Sequence, residues 1–232
     1  MRNQIIFSLF FLAAGFMACK NNGSDTTENT AAPAPDSPAQ ATSTATIDPN
    51  ATGTYAVDTE ASSIQWEGSK AAGSSHHGTL KLQGGELSLY QGNITGGNVT
   101  IDMNSINVEG LDADGKGKLE GHLKSPDFFD TAKFPTASFK FGSTTPLTGD
   151  TSGASQVVGG ELTVKGIAKP IRIPFNYSFS DGKVIIESAP FSIIRTEWGV
   201  QYKSGILGTI KDEIINDEIK LKLKLVAAPA AN

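Results

Sequence analysis

Apolar residues alternate with polar or small residues along most of the chain after residue 53. In Glu218–Val226, one face carries only Ile and Leu, and the other carries three lysines. Gln156–Val164 and Ile171–Phe179 show the same period of two. This period is typical of half-buried β-strands, whose successive side chains point to opposite faces. The pattern predicts an all-β domain.

Short polar segments separate these runs, and they predict turns and bulges. Two alternating runs flank Gln83-Gly84-Gly85, which predicts a hairpin within Thr79–Tyr90 whose turn lies at the two glycines. The alternation in Asn98–Val108 changes phase near Asn104-Ser105, which predicts a β-bulge at that point.

The number and spacing of these runs favour a closed sheet. We count about eight to ten strands joined by short turns and expect an antiparallel β-barrel of about eight strands. A barrel is favoured over a sandwich because closure leaves no exposed strand edge. The interior of such a barrel is filled by side chains or holds one small, slender ligand.

One stretch interrupts the alternation. Leu119–Phe141 contains five of the chain's twelve phenylalanines and two prolines. Leu119–Pro135 is predicted to be a short helical or irregular insertion, with a helix over Lys118–Lys124, and Ala137–Phe141 is predicted to be a strand. An apolar connection must bury its side chains, so we expect it to cover one end of the barrel. The covering residues are Leu123, Phe128, Phe129 and Phe134, held in place by hydrogen bonds from His122 to backbone carbonyls.

The residues before the barrel domain have a different composition. Residues 1–18 combine one positive charge with an apolar run and predict a secretory signal. Cys19 follows Ala18 in a pattern that resembles the lipobox of bacterial lipoproteins, where the signal is cut before a cysteine that carries the lipid. The alternative is an ordinary secretory signal with an incidental cysteine. Residues 19–52, rich in Thr, Ala, Pro and Ser, predict a disordered tether, and residues 53–228 predict the barrel domain.

Charge and cysteine content restrict the partners of this domain. Removal of Arg2 with the signal leaves 18 basic against 24 acidic residues, and this acidity argues against binding to nucleic acid. Cys19 is the only cysteine, so the domain has no disulfide and depends on its apolar core. We expect a membrane-anchored lipoprotein of the cell envelope that faces the periplasm or the cell surface, attached through lipidated Cys19.

No residue pattern predicts a metal site. His76 and His77 are adjacent, so on a strand they point to opposite faces, and His122 lies far along the chain. The spacings typical of zinc ligands are missing. Glu109–Gly117 is predicted to be a polar Gly/Asp loop, because it lacks the downstream Glu of a calcium loop.

No pattern predicts catalysis either. The chain has no Gly-x-Ser-x-Gly elbow, and lipidation of Cys19 leaves no cysteine nucleophile. The pairs Gly84-Gly85, Gly96-Gly97 and Gly159-Gly160 lack the strand–loop–helix context of a phosphate site, and they are interpreted as turns or bulges between strands or at strand ends. Arg195 lies in an apolar run, where we expect it to form an ion pair at the barrel end or to extend its charge outward into solvent; the alternative is that it holds an anionic head group. We therefore predict that the protein is not an enzyme.

Several motifs, taken in order, resemble the YceI-like family of lipid-binding proteins. The resemblance covers nearly all of residues 53–226. The motifs are Tyr55-Ala-Val-Asp58 with Ser63-Ile64, Val99-Thr-Ile-Asp-Met-Asn-Ser105, His122-Leu-Lys-Ser-Pro-Asp-Phe-Phe-Asp130 with Phe134-Pro135 and Phe139-Lys140, Gly160-Glu-Leu-Thr-Val-Lys-Gly166 with Lys169-Pro170, and Arg195-x-x-Trp-Gly199.

The resemblance implies a lipocalin-like barrel that holds a long isoprenoid chain, with ligands of the quinone or polyprenyl phosphate class. The cofactor would then be a bound lipid rather than a covalent group. The residues expected to contact this lipid are Trp66, Leu80, Leu82, Val99, Ile101, Phe128, Phe129, Phe139, Phe141, Leu162, Val164, Phe175, Tyr177, Ile186 and Trp198. His122 and Arg195 are expected at the head group or the lid.

Two alternatives remain open on the sequence alone. The same in-facing residues can meet at the axis as a solid core, which would make the domain a structural or interaction module of the envelope. An enzyme would require His77 and His122 to share an acidic residue in one cleft. The sequence leaves open whether the protein forms a homodimer.

Overall fold

The structure is a computed structural model that describes residues 48–231. The predicted signal peptide, Cys19 and residues 20–47 of the predicted tether lie outside the described residues. The strands are β1 (Gly53–Val57), β2 (Ser63–Lys70), β3 (Ser75–Tyr90), β4 (Asn93–Glu109), β5 (Thr136–Phe141), β6 (Thr145–Pro146), β7 (Gln156–Val164), β8 (Ile167–Ser180), β9 (Lys183–Ser188), β10 (Phe191–Ile194) and β11 (Ile215–Pro229). One α-helix, α1 (Ala113–Lys124), follows β4, and three 3-10 turns lie at Arg195–Trp198, Gly205–Leu207 and Lys211–Glu213.

Eight of these strands form a closed ring. The hydrogen-bonded order is β11, β2, β3, β4, β5, β7, β8 and β9, and β9 pairs with β11 to complete the circle. Every pairing is antiparallel. The predicted fold class, an antiparallel barrel of about eight strands with a short helical insertion, is confirmed.

Two short strands extend the wall of the ring. β1 lies between β3 and β11 at one end, in line with β2, which lies between the same two strands at the other end. β10 also pairs with β11, at residues next to those that pair with β9. The residues just before β1 also belong to this packing, because Ala51 is buried in the core and the Gln91 backbone N–H donates to Thr52 Oγ1.

The predicted hairpin within Thr79–Tyr90 is wrong. β3 runs continuously from Ser75 to Tyr90, and its register against β4 shifts between Leu82 and Gly84. Gly85 has a φ of 155°, and a Cβ atom there would lie 2.5 Å from the Asn98 carbonyl oxygen. The glycines therefore bend one long strand instead of ending it. A bend within one strand and a turn between two strands both give two alternating runs around Gly-Gly, so the sequence pattern does not distinguish them.

The predicted bulge near Asn104-Ser105 is confirmed. The register of β3 against β4 shifts between the pairs Thr79–Asn107 and Lys81–Asp102, which leaves extra residues on β4. Ser105 Oγ accepts a hydrogen bond from the Lys81 backbone N–H at 2.8 Å and donates one to the Asp102 carbonyl at 2.6 Å. The hydroxyl thus replaces the ladder bonds that the bulge interrupts.

The other two glycine pairs lie inside strands, not between them or at their ends. A Cβ atom on Gly97 would lie 2.6 Å from the ring of Phe141, and one on Gly160 would lie 2.6 Å from the ring of Phe139. The two rings stack with centroids 5.3 Å apart. Glycine is needed at these positions because the aromatic rings lie directly on the backbone of the barrel wall.

The helix begins earlier than predicted. The predicted helix over Lys118–Lys124 is confirmed, but it begins at Ala113, so the prediction of a loop over Glu109–Gly117 is wrong for its second half. Asp112 is the N-cap, and its Oδ1 accepts a hydrogen bond from the Gly115 N–H at 2.7 Å. This cap satisfies an N–H group that the helix leaves free, which offsets the low helix propensity of the glycines.

Candidate functional site

One half of the barrel contains a cavity of about 360 Å³. Its wall comes from β2, β3, β4, β5, β7, β10 and β11, and α1 and the Phe-rich insertion close it at one end. The lining is mainly aliphatic and aromatic. The apolar residues are Ile64, Trp66, Leu80, Ile101, Met103, Ile106, Leu119, Leu123, Phe128, Phe129, Ala137, Leu162, Val164, Ile193, Trp198, Val200, Ile215, Ile219 and Leu221.

The other half of the barrel is nearly solid. It contains a separate cavity of about 40 Å³, surrounded by aliphatic and aromatic side chains. The lining residues are Leu87, Ile94, Val99, Phe139, Phe141, Thr144, Val158, Ile173, Phe175, Ile186, Leu223 and Leu225. The barrel is therefore neither wholly hollow nor wholly packed.

The residues that the sequence analysis assigned to the lipid divide into three groups in the structure. Trp66, Leu80, Ile101, Phe128, Phe129, Leu162, Val164 and Trp198 line the large cavity together with His122 and Arg195. Val99, Phe139, Phe141, Phe175 and Ile186 surround the small cavity. Leu82 and Tyr177 are buried in the core and line neither cavity.

Several lining residues were not predicted from the sequence. Ile219 and Leu221 lie on the apolar face of β11, so the alternation of that strand was a usable signal. Val200, Tyr202 and Lys203 belong to the irregular segment between β10 and β11, which has no period to interpret. Ala137 shares a face with Phe139, but a side chain as small as alanine gives only a weak hydrophobic signal in the sequence.

The insertion after α1 folds back on the helix and closes the large cavity. The Phe129 and Thr131 backbone N–H groups donate to the carbonyls of Leu123 and Lys124. Lys165 Nζ donates to the Phe128 carbonyl at 2.6 Å, which ties the insertion to the turn between β7 and β8. Phe134 packs against Gly166 in that same turn and is not part of the cavity lining.

His122 contacts rings and a carboxylate, whereas the sequence predicted backbone carbonyls. Its imidazole lies edge-on to Tyr202, with centroids 4.7 Å apart, and to Phe128 at 5.1 Å. Its Nε2 lies 3.7 Å from Asp127 Oδ2. His122 thus packs α1 against Phe128 and Tyr202 at the edge of the cavity.

Arg195 has the structural role that the sequence analysis considered first. Its side chain is 2% exposed. Nη1 donates to the Val200 carbonyl at 2.8 Å, and Nη2 donates to the Ile215 carbonyl at 2.9 Å. Asp217 Oδ1 lies 3.0 Å from Nη2 but outside the N–H direction, so this contact is an ion pair without an aligned hydrogen bond. Burial lowers the pKa of Arg195, and the Asp217 carboxylate opposes that effect.

The two tryptophans of the chain both line the large cavity. Trp198 is buried, and its Nε1–H donates to the Leu162 carbonyl at 3.0 Å. Trp66 lies across Gly78 of the neighbouring strand, and its buried Nε1–H has no hydrogen-bond partner among residues 48–231. A buried N–H of this kind normally has a partner.

Polar side chains surround part of the large cavity. Ser69, Lys70, His76, Tyr202, Lys203 and Asn216 contribute to its lining. Lys203 Nζ lies 2.8 Å from Glu213 Oε2, and this hydrogen bond raises the pKa of Lys203 and lowers that of Glu213. We call Ser69, Lys70, His76, Lys203 and Asn216 the polar rim.

The histidines do not form a shared site. His76 lines the large cavity, whereas its neighbour His77 points to the other face and lies beside Gly110. Within residues 48–231, no three His, Cys, Asp or Glu side chains come together as a metal site. In the same range, no helix is long and apolar enough to cross a membrane.

Together, the fold and the cavity define a closed antiparallel β-barrel with an internal apolar cavity under a helix and an aromatic insertion. A family model described as the YceI-like domain matches residues 55–227. The chain therefore belongs to the YceI-like domain family.

Curated relatives and solved structures agree with this assignment. A UPF0312 protein of Shewanella denitrificans is 28% identical over 171 residues, which cover 73% of this chain and 78% of the relative. A UPF0312 protein of Vibrio vulnificus is 28% identical over 169 residues, or 71% of this chain and 77% of the relative.

Two solved structures share the fold. BcnA of Burkholderia cenocepacia matches with a TM-score of 0.58 and 21% identity, over 74% of this chain and 99% of BcnA. A polyisoprenoid binding domain from Saccharophagus degradans matches with a TM-score of 0.52 and 16% identity, over 76% of this chain and 98% of that domain. At these identities the similarity concerns the fold alone.

Proposed function

We propose that this domain binds one apolar chain molecule, an isoprenoid-type lipid, in the large cavity and carries it without chemical change. The observation that supports this most is the apolar cavity of about 360 Å³ inside an otherwise packed barrel. Ligand cavities are typically concave, mainly apolar and already formed, with a few polar groups at defined points. The domain from Saccharophagus degradans, which has the same fold, is described as polyisoprenoid binding.

The mainly apolar lining suits a hydrocarbon chain. Burial contributes roughly 0.8 kcal/mol per methylene-sized group, so ten groups contribute about 8 kcal/mol before the cost of ordering the chain. Taken alone, that gross gain corresponds to about micromolar affinity, and the cost of association and chain ordering weakens it. Tighter binding therefore requires that the ligand fill the cavity with more than about ten apolar groups.

The polar rim supports an amphipathic ligand of the quinone or polyprenyl phosphate class. Lys70 and Lys203 carry two positive charges near one carboxylate, that of Glu213, so the rim retains a positive charge that favours an anionic or strongly polar head. The unpaired Nε1–H of Trp66 adds a donor for a ligand oxygen. Arg195 already pairs with Asp217 and three carbonyls, so it is a poor candidate for the head group.

We also infer that lipidated Cys19 holds the domain at a membrane of the cell envelope. The apolar run before Cys19 and the polar tether after it support this inference. The test is fractionation of cells that produce the full chain or a Cys19→Ser variant. The wild type is expected with the membranes and the variant in the soluble fraction. Equal membrane association of both would contradict the inference.

The binding proposal is tested by fluorescence titration with farnesol, because Trp66 and Trp198 both line the cavity. Added farnesol is expected to change the tryptophan emission and to saturate at one molecule per domain. The variant Ala137→Phe fills the cavity from its wall and is expected to weaken binding at least tenfold. The neighbouring Ser138→Phe is the control, since residue 138 points to the opposite face of β5. Equal binding by both variants would place farnesol outside the cavity and contradict the proposal.

A further inference from the structure

The two cavities lie in the same barrel, and they meet at one level of its wall. On β4, Ile101 lines the large cavity and Val99 lines the small one. On β5, Ala137 lines the large cavity and Phe139 the small one. The cross-strand pairs are Ile101 with Ala137 and Val99 with Phe139, so both strands change from one cavity to the other at the same height.

The same change occurs on the neighbouring strand and on β11. Along the inner face of β7, Leu162 lines the large cavity and Val158 the small one, and Gly160 lies between them. On β11, Leu221 lines the large cavity and Leu223 the small one. The barrel interior is therefore divided by a layer of side chains, whose position shifts by one cross-strand pair between β5 and β7, since Phe139 pairs with Leu162.

Phe139 is the largest of the boundary residues just named on β4, β5, β7 and β11. Its ring lies over Gly160, because a Cβ atom there would be 2.6 Å from two of its ring carbons. The ring is thus located between Leu162 and Val158, where the lining changes. Stacking on Phe141 at 5.3 Å holds it in place.

We propose that Phe139, which borders the small cavity next to the large-cavity residues Ala137 and Leu162, forms the partition between the two cavities. This partition is the floor that limits how much of an isoprenoid chain the domain can enclose; the inference depends on the proposed lipid-binding function. An apolar cavity of about 150 Å³ holds one benzene ring. By the same measure the large cavity holds about fourteen carbons, or between two and three isoprene units, at ~25 Å³ per carbon. The ligand class is then a short prenyl chain, or the first units of a longer chain whose remainder stays outside.

The experiment is a binding series with all-trans prenyl alcohols of one to six isoprene units, followed by tryptophan emission. For the wild type, affinity is expected to rise at least about tenfold with each unit up to the second or third, and then to change by less than about threefold, since further units gain no buried surface. A continued steep rise through the sixth unit would overturn the length limit while supporting lipid binding. Failure of every alcohol to bind would overturn the proposed function itself.

Two variants move the floor in opposite directions. Phe139→Ala joins the cavities and is expected to shift the limit outward by about one unit, because the lost ring has room for about five carbons. Ala137→Leu shortens the cavity and is expected to weaken binding of the three-unit alcohol at least tenfold, with the one-unit alcohol within about threefold of wild type. Because loss of a buried ring can prevent folding, Phe139→Leu is measured alongside, and Ala137→Leu tests the proposal independently of Phe139.

Val158→Ala is the matched control. It enlarges the small cavity but leaves Phe139 in place, so the length limit is expected to stay at the wild-type value. A limit that moves equally in Val158→Ala and Phe139→Ala would show that general loosening of the barrel, not removal of the floor, sets the chain length.

Discussion

Gly160 lies under the ring of Phe139 on the inner face of the barrel, and its lack of a side chain is required there. A methyl group would lie 2.6 Å from the ring and would also contact the Lys140 carbonyl. We predict that Gly160→Ala destabilises the domain by about 1–3 kcal/mol, the usual effect of overpacking. The measurement is urea unfolding. The adjacent Gly159→Ala is the control, since a Cβ atom there has no neighbour within 4 Å; equal losses for both would contradict the packing described.

Arg195 is the buried charge of the site, and its partners are the backbone of the irregular segment and the start of β11. Removal of its guanidinium leaves Asp217 without its cation and frees three carbonyls. We predict that Arg195→Ala costs about 3–5 kcal/mol in unfolding free energy, as does the breaking of other buried pairs. Exposed Arg172 provides the comparison, and Arg172→Ala is expected to change stability by less than about 0.5 kcal/mol. If Arg195→Ala were as stable as the wild type, the guanidinium would not be needed for the fold, and a role of Arg195 in ligand binding would be favoured instead.

At the scale of elements, the Phe-rich insertion is a cap on the large cavity. Phe128 is buried and contacts His122, Tyr202 and Phe129, and both phenylalanines line the cavity. Truncation of a buried Phe costs about 3–5 kcal/mol and also opens the cavity. We predict that Phe128→Ala with Phe129→Ala lowers the melting temperature and speeds the release of bound farnesol in a stopped-flow chase.

Phe134→Ala separates these two effects. Phe134 lies in the same insertion but packs against Gly166 outside the cavity, so this variant is expected to release farnesol at the wild-type rate. A double variant as stable as the wild type would show that the insertion is exposed rather than packed on the barrel.

The docking of α1 on β4 predicts a pH dependence. Glu120 Oε1 accepts the Val108 backbone N–H at 2.8 Å, and this bond, with Lys116, lowers the pKa of Glu120 below its usual 4.5. A lowered pKa stabilises the fold fully above pH 4.5, and this stabilisation is lost as the pH falls through the lowered value. We predict that unfolding free energy declines below pH 4.5 and declines less steeply in Glu120→Gln, which keeps the acceptor oxygen. Parallel pH profiles from urea unfolding would contradict this assignment.

The element patterns explain which parts of the fold the sequence could predict. The apolar face of β11 and the phase change at Asn104-Ser105 are local signals, and both were interpreted correctly. The prediction of a hairpin turn at Gly84-Gly85 was wrong because a bulge in one long strand and a turn between two strands share one sequence pattern. The predicted start of α1 was wrong because Gly115 and Gly117 suggest a loop, whereas the Asp112 cap allows the helix to begin at Ala113.

At the scale of the whole molecule, the alternation cannot distinguish a cavity from a core. Ala137 and Phe139 share the inner face of β5, yet one borders the large cavity and the other helps fill the opposite half of the barrel. That difference depends on how side-chain volumes from eight strands add up at each height, which is a three-dimensional property. The site residues in the segment between β10 and β11 have no period at all and become visible only once Arg195 fixes that segment to the barrel.

Native mass spectrometry of the domain tests most directly whether the large cavity is a lipid site inside a half-packed barrel. The domain, prepared without detergent and incubated with farnesol, is expected to carry one farnesol per chain, and Ala137→Phe is expected to remain at the mass of the protein alone. A wild-type domain that is isolated without lipid and takes up no farnesol would contradict the account. The same conclusion would follow if Ala137→Phe retained farnesol as well as the wild type.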